Sequence, residues 1–298
     1  MSRIQHILEK AEREGAALRT SRVGAATTVP IPIEIPSPAA PEKAIVAAVP
    51  MPAATVRVDA TPPQPAGGLG AELEAFTVRL NPLLVAGLSP KSPAAEQYRG
   101  LRTRLAHTEG AQTMRTFLIT SPQKGEGKSV TSANLALTMA QELHRHVVLV
   151  EADLRKPSFE QLFGLPPGPG LADYLSGAVD LDTAMKYLPD YHLTVIPGGS
   201  APTNPAELLG STAMRRMLDQ LRTRFDRVIL DSPPILPLAD VAVLAPMIDG
   251  TLLVVRAGVT PKPAIENALR AFDSSRLLGV VLNESGMEDD YRYEGPRH

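Results

Sequence analysis

From residue 116 onward, short apolar runs alternate with longer segments in which apolar positions recur every three or four residues. The runs fall at 116–120, 146–151, 193–197, 227–230, 251–255 and 278–282, and several consist almost wholly of apolar residues. A strand without a polar face must be covered on both sides, so these runs predict a mostly parallel sheet. Helical spacing is predicted at 128–143, 158–163, 170–176, 205–224, 238–246 and 262–272. Strand and helix in alternation make an open α/β sheet with helices on both faces. Ligands of such sheets sit beyond the carboxyl ends of the strands.

The pattern changes towards the N-terminus. The stretch "SPKSPAAEQYRGLRTRLAHT" opens on turn residues and continues as a helix. Between Gly24 and Gly70 lie ten of the chain's 29 prolines, with no sustained period. Proline removes amide donors and fixes φ, so this segment reads as a stiff, extended, disordered linker. Residues 2–19 place Ile4, Ile7, Leu8, Ala11 and Leu18 at helical spacing among charged residues, a short amphipathic helix. The expected organisation is a helix at 1–20, a Pro/Ala-rich linker at 21–82, an α/β domain at 83–283 and a flexible tail at 284–298.

Composition removes several function classes. The 298 residues carry a formal net charge of −2, so no global field recruits nucleic acid or an anionic membrane. Cysteine is absent, which excludes disulfides, thiolate metal sites and a cysteine nucleophile. No apolar stretch approaches the ~18 to 20 residues of a membrane span, and the charged N-terminus is unlike a signal peptide. A soluble, cytoplasmic protein without a nucleic-acid partner is expected.

Candidate chemistry begins after the run at 116–120, with "SPQKGEGKSVTSANLA", residues 121–136. Glycines let backbone amides approach phosphate oxygens, and a following helix start adds donors and a positive dipole end. The predicted cradle is Gly125, Glu126, Gly127, Lys128, Ser129 and Val130. Lys128 would reach the β and γ phosphates and Ser129 would ligate Mg²⁺. The strict G-x-x-x-x-G-K-[ST] pattern fails at its first place, where Pro122 stands. A plain glycine-rich turn opening a helix is the alternative.

Two acidic strand ends accompany the loop. "VVLVEADLRKP" places Glu151 and Asp153 on the same side, and "RVILDSPP" ends in Asp231 and Ser232. Mg²⁺ keeps several waters, and carboxylates at such ends hold those waters or orient an attacking hydroxyl. Acidic residues after strands also serve as helix caps.

These three motifs resemble those of the bacterial tyrosine kinases of capsule and exopolysaccharide synthesis, the BY-kinases. "GLADYLSG", "VIPGGSAPTNPAELL", "LDSPPILPLADVAVLA", "LLVVRAG" and "LGVVLNE" are similar to family text as well, so the likeness covers about seven-tenths of the chain, from Leu83 on. The N-terminal helix and linker resemble the soluble autokinases associated with exosortase-linked loci. The resemblance implies a P-loop fold related to the MinD and ParA ATPases, and ATP- and Mg²⁺-dependent phosphorylation of tyrosines in the chain's own tail. It implies phosphate and metal binding by Lys128 and Ser129, a metal held through water by Asp231, and metal or acceptor organised by Asp153. Deprotonation of the tyrosine is implied for Glu151, and contact with adenine for Asn283. Glu96, Arg99 and Arg102 match the E-x-x-R-x-x-R pattern through which family members form rings. They fall on roughly a third of a helix's circumference, where a solvated salt-bridged face is the bland alternative. The acceptors would be Tyr291 and Tyr293 in "ESGMEDDYRYEGPRH". Implied partners are further copies of this chain, a membrane chain-length-determinant protein at the inner face of the plasma membrane, and a cognate tyrosine phosphatase.

The chain departs from the family pattern at Glu151, where Asp is usual. One added methylene moves the carboxylate by ~1 Å, which in a positioned site costs on the order of a hundredfold in rate. Lys124 stands where these kinases commonly carry proline, near the signature lysine of MinD-like loops. Lys124 favours a MinD- or ParA-like ATPase acting as a positioning switch, and Glu151 favours a scaffold with weakened catalysis.

Overall fold

The structure, a computed structural model, describes residues 74–108, 114–142, 145–235, 240–270 and 276–285. The predicted N-terminal helix, the linker up to residue 73 and the tail with Tyr291 and Tyr293 lie outside these residues. Within them one seven-stranded sheet organises the chain. Its strands are β1 (Thr116–Thr120), β2 (Val147–Glu151), β3 (Lys186–Leu188), β4 (Leu193–Ile196), β5 (Arg227–Asp231), β6 (Gly250–Arg256) and β7 (Leu277–Asn283). They stand in the order β3-β4-β2-β5-β1-β6-β7, all parallel except β3, which runs antiparallel to β4.

Why the strands read as continuous apolar runs is now clear. Leu118, Val148, Val150, Val228 and Leu230 enter one core, where the helix Thr212–Arg224 lays down Met214, Met217, Leu218 and Leu221. Their neighbours Ile119, Val147, Leu149 and Ile229 enter the other, against Leu135 and Leu137 of the helix Lys128–Ala140 and against Phe159 and Phe163. Successive side chains point to opposite faces, so a sheet covered twice needs apolar residues at every position. Each such Val or Leu fully removed from water contributes about 1.5–3 kcal/mol.

Two expectations about elements are corrected and one element is added. The single helix predicted at 205–224 is two helices, Pro205–Leu209 and Thr212–Arg224, because Ser211 Oγ accepts from Met214 N at 3.2 Å and caps a new start. Strand β3 was not foreseen; three residues, one of them Lys186, carry too little pattern. The domain also begins before residue 83. Phe76 N donates to Tyr187 O at 2.8 Å, Tyr187 N to Glu74 O at 3.2 Å and Asn81 N to Leu162 O at 2.8 Å, while Leu80 is buried. The alternation of Phe76, Val78 and Leu80 with polar neighbours was the missed signal.

This topology locates a crevice. From β1 the chain passes over β5 to reach β2, whereas from β5 it passes over β1 to reach β6. The carboxyl ends of β1 and β5 therefore form a switch point, where open α/β sheets bind ligands.

Candidate active site

Strand β1 runs into the glycine loop through the buried Thr120 and Ser121. Thr120 Oγ1 donates to Pro233 O at 2.9 Å and Ile235 N to Ser121 O at 2.9 Å, which laces the exit of β5 to the exit of β1. Gly125 and Gly127 adopt φ of 80° and 85°, the left-handed region that disfavours a Cβ. The helix then starts at Lys128, and among the described residues no side chain is bonded to its first amides. Those donors and the positive end of the helix dipole are left to face the loop, which is what phosphate requires.

The missing first glycine does not open the loop. Ser121 Oγ donates to Gln123 O at 2.7 Å, and Gln123 N donates to Glu126 Oε2 at 3.0 Å. Glu126 is 3% exposed, and its other oxygen accepts from Thr260 Oγ1 at 2.6 Å. Burial raises its pKa above the ordinary glutamate range. The Glu126 side chain is thus an internal brace, and its contribution to a phosphate is confined to its backbone. Val130 packs against the core beneath the helix, and Lys124 is exposed.

Lys128 Nζ lies 2.7 Å from Asp153 Oδ2, 3.8 Å from Asp231 Oδ2 and 3.2 Å from Ser129 Oγ. Burial works against its charge, but Asp231 and Asp153 outweigh that and hold its pKa above the usual lysine range. Asp231 is fully buried, and among the described residues neither of its oxygens has a hydrogen-bond partner. Burial pushes its pKa up to about 6, against the pull of Lys128 and the nearby Ser129 hydroxyl. An orphaned buried carboxylate is a place for a cation. Mg²⁺ takes one or two carboxylates together with waters and phosphate oxygens rather than a full protein cage. Asp231, the Ser129 hydroxyl and Asp153 fit that donor set, and among the described residues no cluster of three acidic, His or Cys side chains offers a cage.

Glu151 sits differently from its expected role. Its Oε1 accepts from the backbone amides of Ser158 and Phe159, the latter at 2.9 Å, and its Oε2 accepts from Gly198 N at 2.8 Å. Burial raises its pKa to about 7 although the Ser158 and Gly198 amides oppose this. One carboxylate thus bonds backbone in the turn after β2 and in the loop after β4.

The other expected residues divide. Asn283 Nδ2 donates to Glu126 O at 3.0 Å, so this side chain supports the loop. Glu96 and Arg99 pair with each other on the exposed side of the helix Pro93–Ala106. Arg102 instead donates to Thr138 O at 2.8 Å and pairs with Glu142 at 3.1 Å, at the end of the helix that begins in the glycine loop. Sequence reasoning missed the bidentate pair of Arg155 with Asp240, at 2.7 and 3.2 Å, with Asp240 fully buried. A lone Asp opening an apolar segment was the available signal. Thr260, the brace of Glu126, had none.

A glycine loop and an uncapped helix at the switch point of a mostly parallel sheet make this a P-loop nucleotide-binding protein. Comparison with known proteins narrows the class. The chain is 37% identical over 223 residues to tyrosine-protein kinase YwqD of Bacillus subtilis (strain 168), covering 74% of this chain and 94% of that one. It is 31% identical over 210 residues to the succinoglycan biosynthesis transport protein ExoP of Rhizobium meliloti (strain 1021), covering 69% of this chain but 27% of that longer protein. The kinase domain of Escherichia coli tyrosine kinase ETK superposes with a TM-score of 0.63 at 30% identity, over 67% of this chain and 79% of that one. No protein-family model matches. The chain belongs to the bacterial tyrosine-protein kinases, and its activity is that of a tyrosine kinase. The relatives do not single out the exosortase-associated subset.

Proposed function

We propose that this chain uses ATP and Mg²⁺ to phosphorylate Tyr291 and Tyr293 of a neighbouring copy. The observation that carries the reading is Lys128, held between Asp153 and Asp231 at the uncapped start of a helix. Amides of Gly125 to Val130 and the Lys128 ammonium hold the β and γ phosphates. Ser129 and Asp231 would hold Mg²⁺, which when bound would supply positive charge against the phosphate oxygens during transfer. Phosphate draws Lys128 Nζ off Asp153, and in this reading the freed Oδ2 takes the phenol proton rather than the metal, as the phenol oxygen bonds to the γ phosphorus and ADP leaves. Asn283, beside the loop on β7, borders the adenine.

Glu96 is exposed and Arg99 half-buried, and this pair is the part of the E-x-x-R-x-x-R pattern available for a ring. Each phosphorylated tyrosine carries about −1.5 to −2 charges beside Glu288, Asp289 and Asp290, which repels the tail from an acidic site and loosens the ring. The similarity to ExoP supports a role in exopolysaccharide synthesis or export, through a membrane chain-length-determinant protein and with a cognate tyrosine phosphatase as reset. Among the described residues no helix is long and apolar enough to cross a membrane, so a partner would bring this chain to the inner membrane face from the cytoplasm.

Purified chain incubated with Mg²⁺ and γ-labelled ATP tests the reading. Label is expected on Tyr291 or Tyr293 and is expected to vanish in Lys128→Met. Free phosphate without labelled protein would indicate a positioning ATPase, and bound unhydrolysed ATP a scaffold.

A further inference from the structure

After Glu151 the chain turns through Asp153, Arg155, Lys156 and Pro157 before the helix Phe159–Phe163 begins. This turn forms a lip at the carboxyl edge of the sheet. Lys156 N donates to Asp153 Oδ1 at 3.2 Å, so the lip rests on the carboxylate assigned the phenol proton. Arg155 and Lys156 are both exposed. The Arg155 guanidinium is engaged by Asp240. The Lys156 ammonium has no ion-pair partner among the described residues.

A second wall is the loop after β4. Gly198 N is held by Glu151, and Ser200 N donates to Asp173 Oδ2 at 3.1 Å. Gly199 takes φ of 74°, and a Cβ there would lie 2.2 Å from Asp173 Oδ2. Pro157 sits against Gly198, 2.9 Å from where a Cβ would stand. One buried carboxylate therefore locks lip to loop, since Glu151 bonds Ser158 and Phe159 on one side and Gly198 on the other.

Sheet order decides how an acceptor arrives. Beyond β1, on the β6 and β7 side, Thr260 and Asn283 are bonded to Glu126 and close that flank. A tyrosine aimed at Asp153 comes instead from the β2 and β4 side, past the outer edge of the joined lip and Gly198 loop. The acceptor segment of this chain, residues 288–294, reads Glu-Asp-Asp-Tyr-Arg-Tyr-Glu, four acidic residues against one basic. Its charge complements the lip.

We infer that Lys156 is a specificity-determining residue whose ammonium receives the acidic residues beside the incoming tyrosine, and that Glu151 is a positioning residue that keeps lip and loop together. This rests on the kinase reading above. Both Glu151 oxygens are already held by backbone amides, Oε1 by Ser158 and Phe159 and Oε2 by Gly198, whereas among the described residues Asp153 Oδ2 is held only by the Lys128 ammonium that phosphate would draw away. An exposed charge contact is weak, on the order of 1 kcal/mol, but it orders encounters with a charged segment.

The test uses full-length enzyme and two full-length acceptors, both inactivated by Lys128→Met. One keeps its acidic tail, and the other carries Glu288→Gln, Asp289→Asn and Asp290→Asn. Wild-type enzyme is expected to prefer the acidic acceptor, and Lys156→Glu to raise its KM about fivefold or more at low salt with the KM for ATP unchanged within about twofold. The preference for the acidic tail should vanish in that variant. Glu151→Gln is expected to raise the acceptor KM while kcat stays within about tenfold of wild type. An acidic preference equal in wild type and Lys156→Glu overturns the assignment of Lys156. A kcat about a thousandfold lower in Glu151→Gln at unchanged acceptor KM makes Glu151 the proton acceptor and overturns its positioning role. A wild-type enzyme that labels neither acceptor overturns the kinase reading and this inference with it.

Discussion

Asn283 Nδ2 donates to the backbone carbonyl of Glu126 at 3.0 Å, and in doing so fills the space that a Cβ on Gly127 would need. The last strand of the sheet thus supports the phosphate loop from a distance of 157 residues along the chain. Removing this bond in Asn283→Ala forfeits about 1 kcal/mol of loop ordering. ATP binding measured by calorimetry should weaken about fivefold while the thermal midpoint barely moves. Unchanged affinity would show that the brace does not matter for binding.

Gly127→Ala attacks the same contact from the other side. Its Cβ would lie 2.1 Å from Asn283 Nδ2, on a residue with φ of 85°. Strain of this kind costs about 1–3 kcal/mol, so ATP affinity should fall on the order of tenfold to a hundredfold. Combining Gly127→Ala with Asn283→Ala relieves the clash but not the strain, and should restore only part of the loss.

Glu151 and Asp231 make stability depend on pH in a definite direction. Their pKa values are raised by burial, from 4.5 to about 7 and from 3.8 to about 6. A carboxyl that holds its proton more tightly when folded stabilises the fold fully below its unfolded value, and that stability is lost as pH rises through the folded value. Metal-free protein is therefore expected to lose stability between about pH 4 and 7, by up to about 1.4 kcal/mol per pH unit for each group. In Asp231→Asn the share of Asp231 disappears. Denaturant titrations at pH 5, 6, 7 and 8 should show a shallower fall in the variant and a higher midpoint at pH 7 and above. Parallel profiles would refute the shift at Asp231.

Arg102 is tied into its own subunit, with Thr138 O at 2.8 Å and Glu142 at 3.1 Å. Thr138 belongs to the last turn of its helix, whose carbonyls lack partners within the helix. Arg102→Ala is expected to lower the stability of dilute protein by about 1–2 kcal/mol. Exposed Glu96→Ala should stay within about 0.5 kcal/mol and half-buried Arg99→Ala, which also gives up a bond to Pro90 O, within about 1 kcal/mol, while both reduce assembly in sedimentation. Equal loss of stability in all three would remove the distinction drawn between them.

Much of the fold could be read along the chain because both faces of the sheet are covered. Val147 to Val150 enter the two cores alternately, and that leaves an unbroken apolar run in the sequence. Strand β3 could not be read this way. At three residues on the sheet's edge, its pairing with Leu193 to Val195 comes from neighbours and not from its own pattern. The segment 74–81 had a readable alternation, masked by the proline-rich text before it.

The phosphate loop belongs to what the sequence determined unaided, since glycine conformation, helix start and lysine all lie within six consecutive residues and interact locally. The acidic strand ends were equally visible, as was the helix Lys128–Ala140. What each carboxylate does was decided only by tertiary structure. Among the described residues Asp231 is left without a hydrogen-bond partner, Asp153 meets Lys128, and Glu151 is bonded to amides of Ser158, Phe159 and Gly198. The same holds for Asn283 and Thr260, which brace Glu126 from 157 and 134 residues away. Local rules fix φ, caps and periodicity, but a buried carboxylate takes whatever donors the folded neighbours present, and those neighbours are remote in the chain.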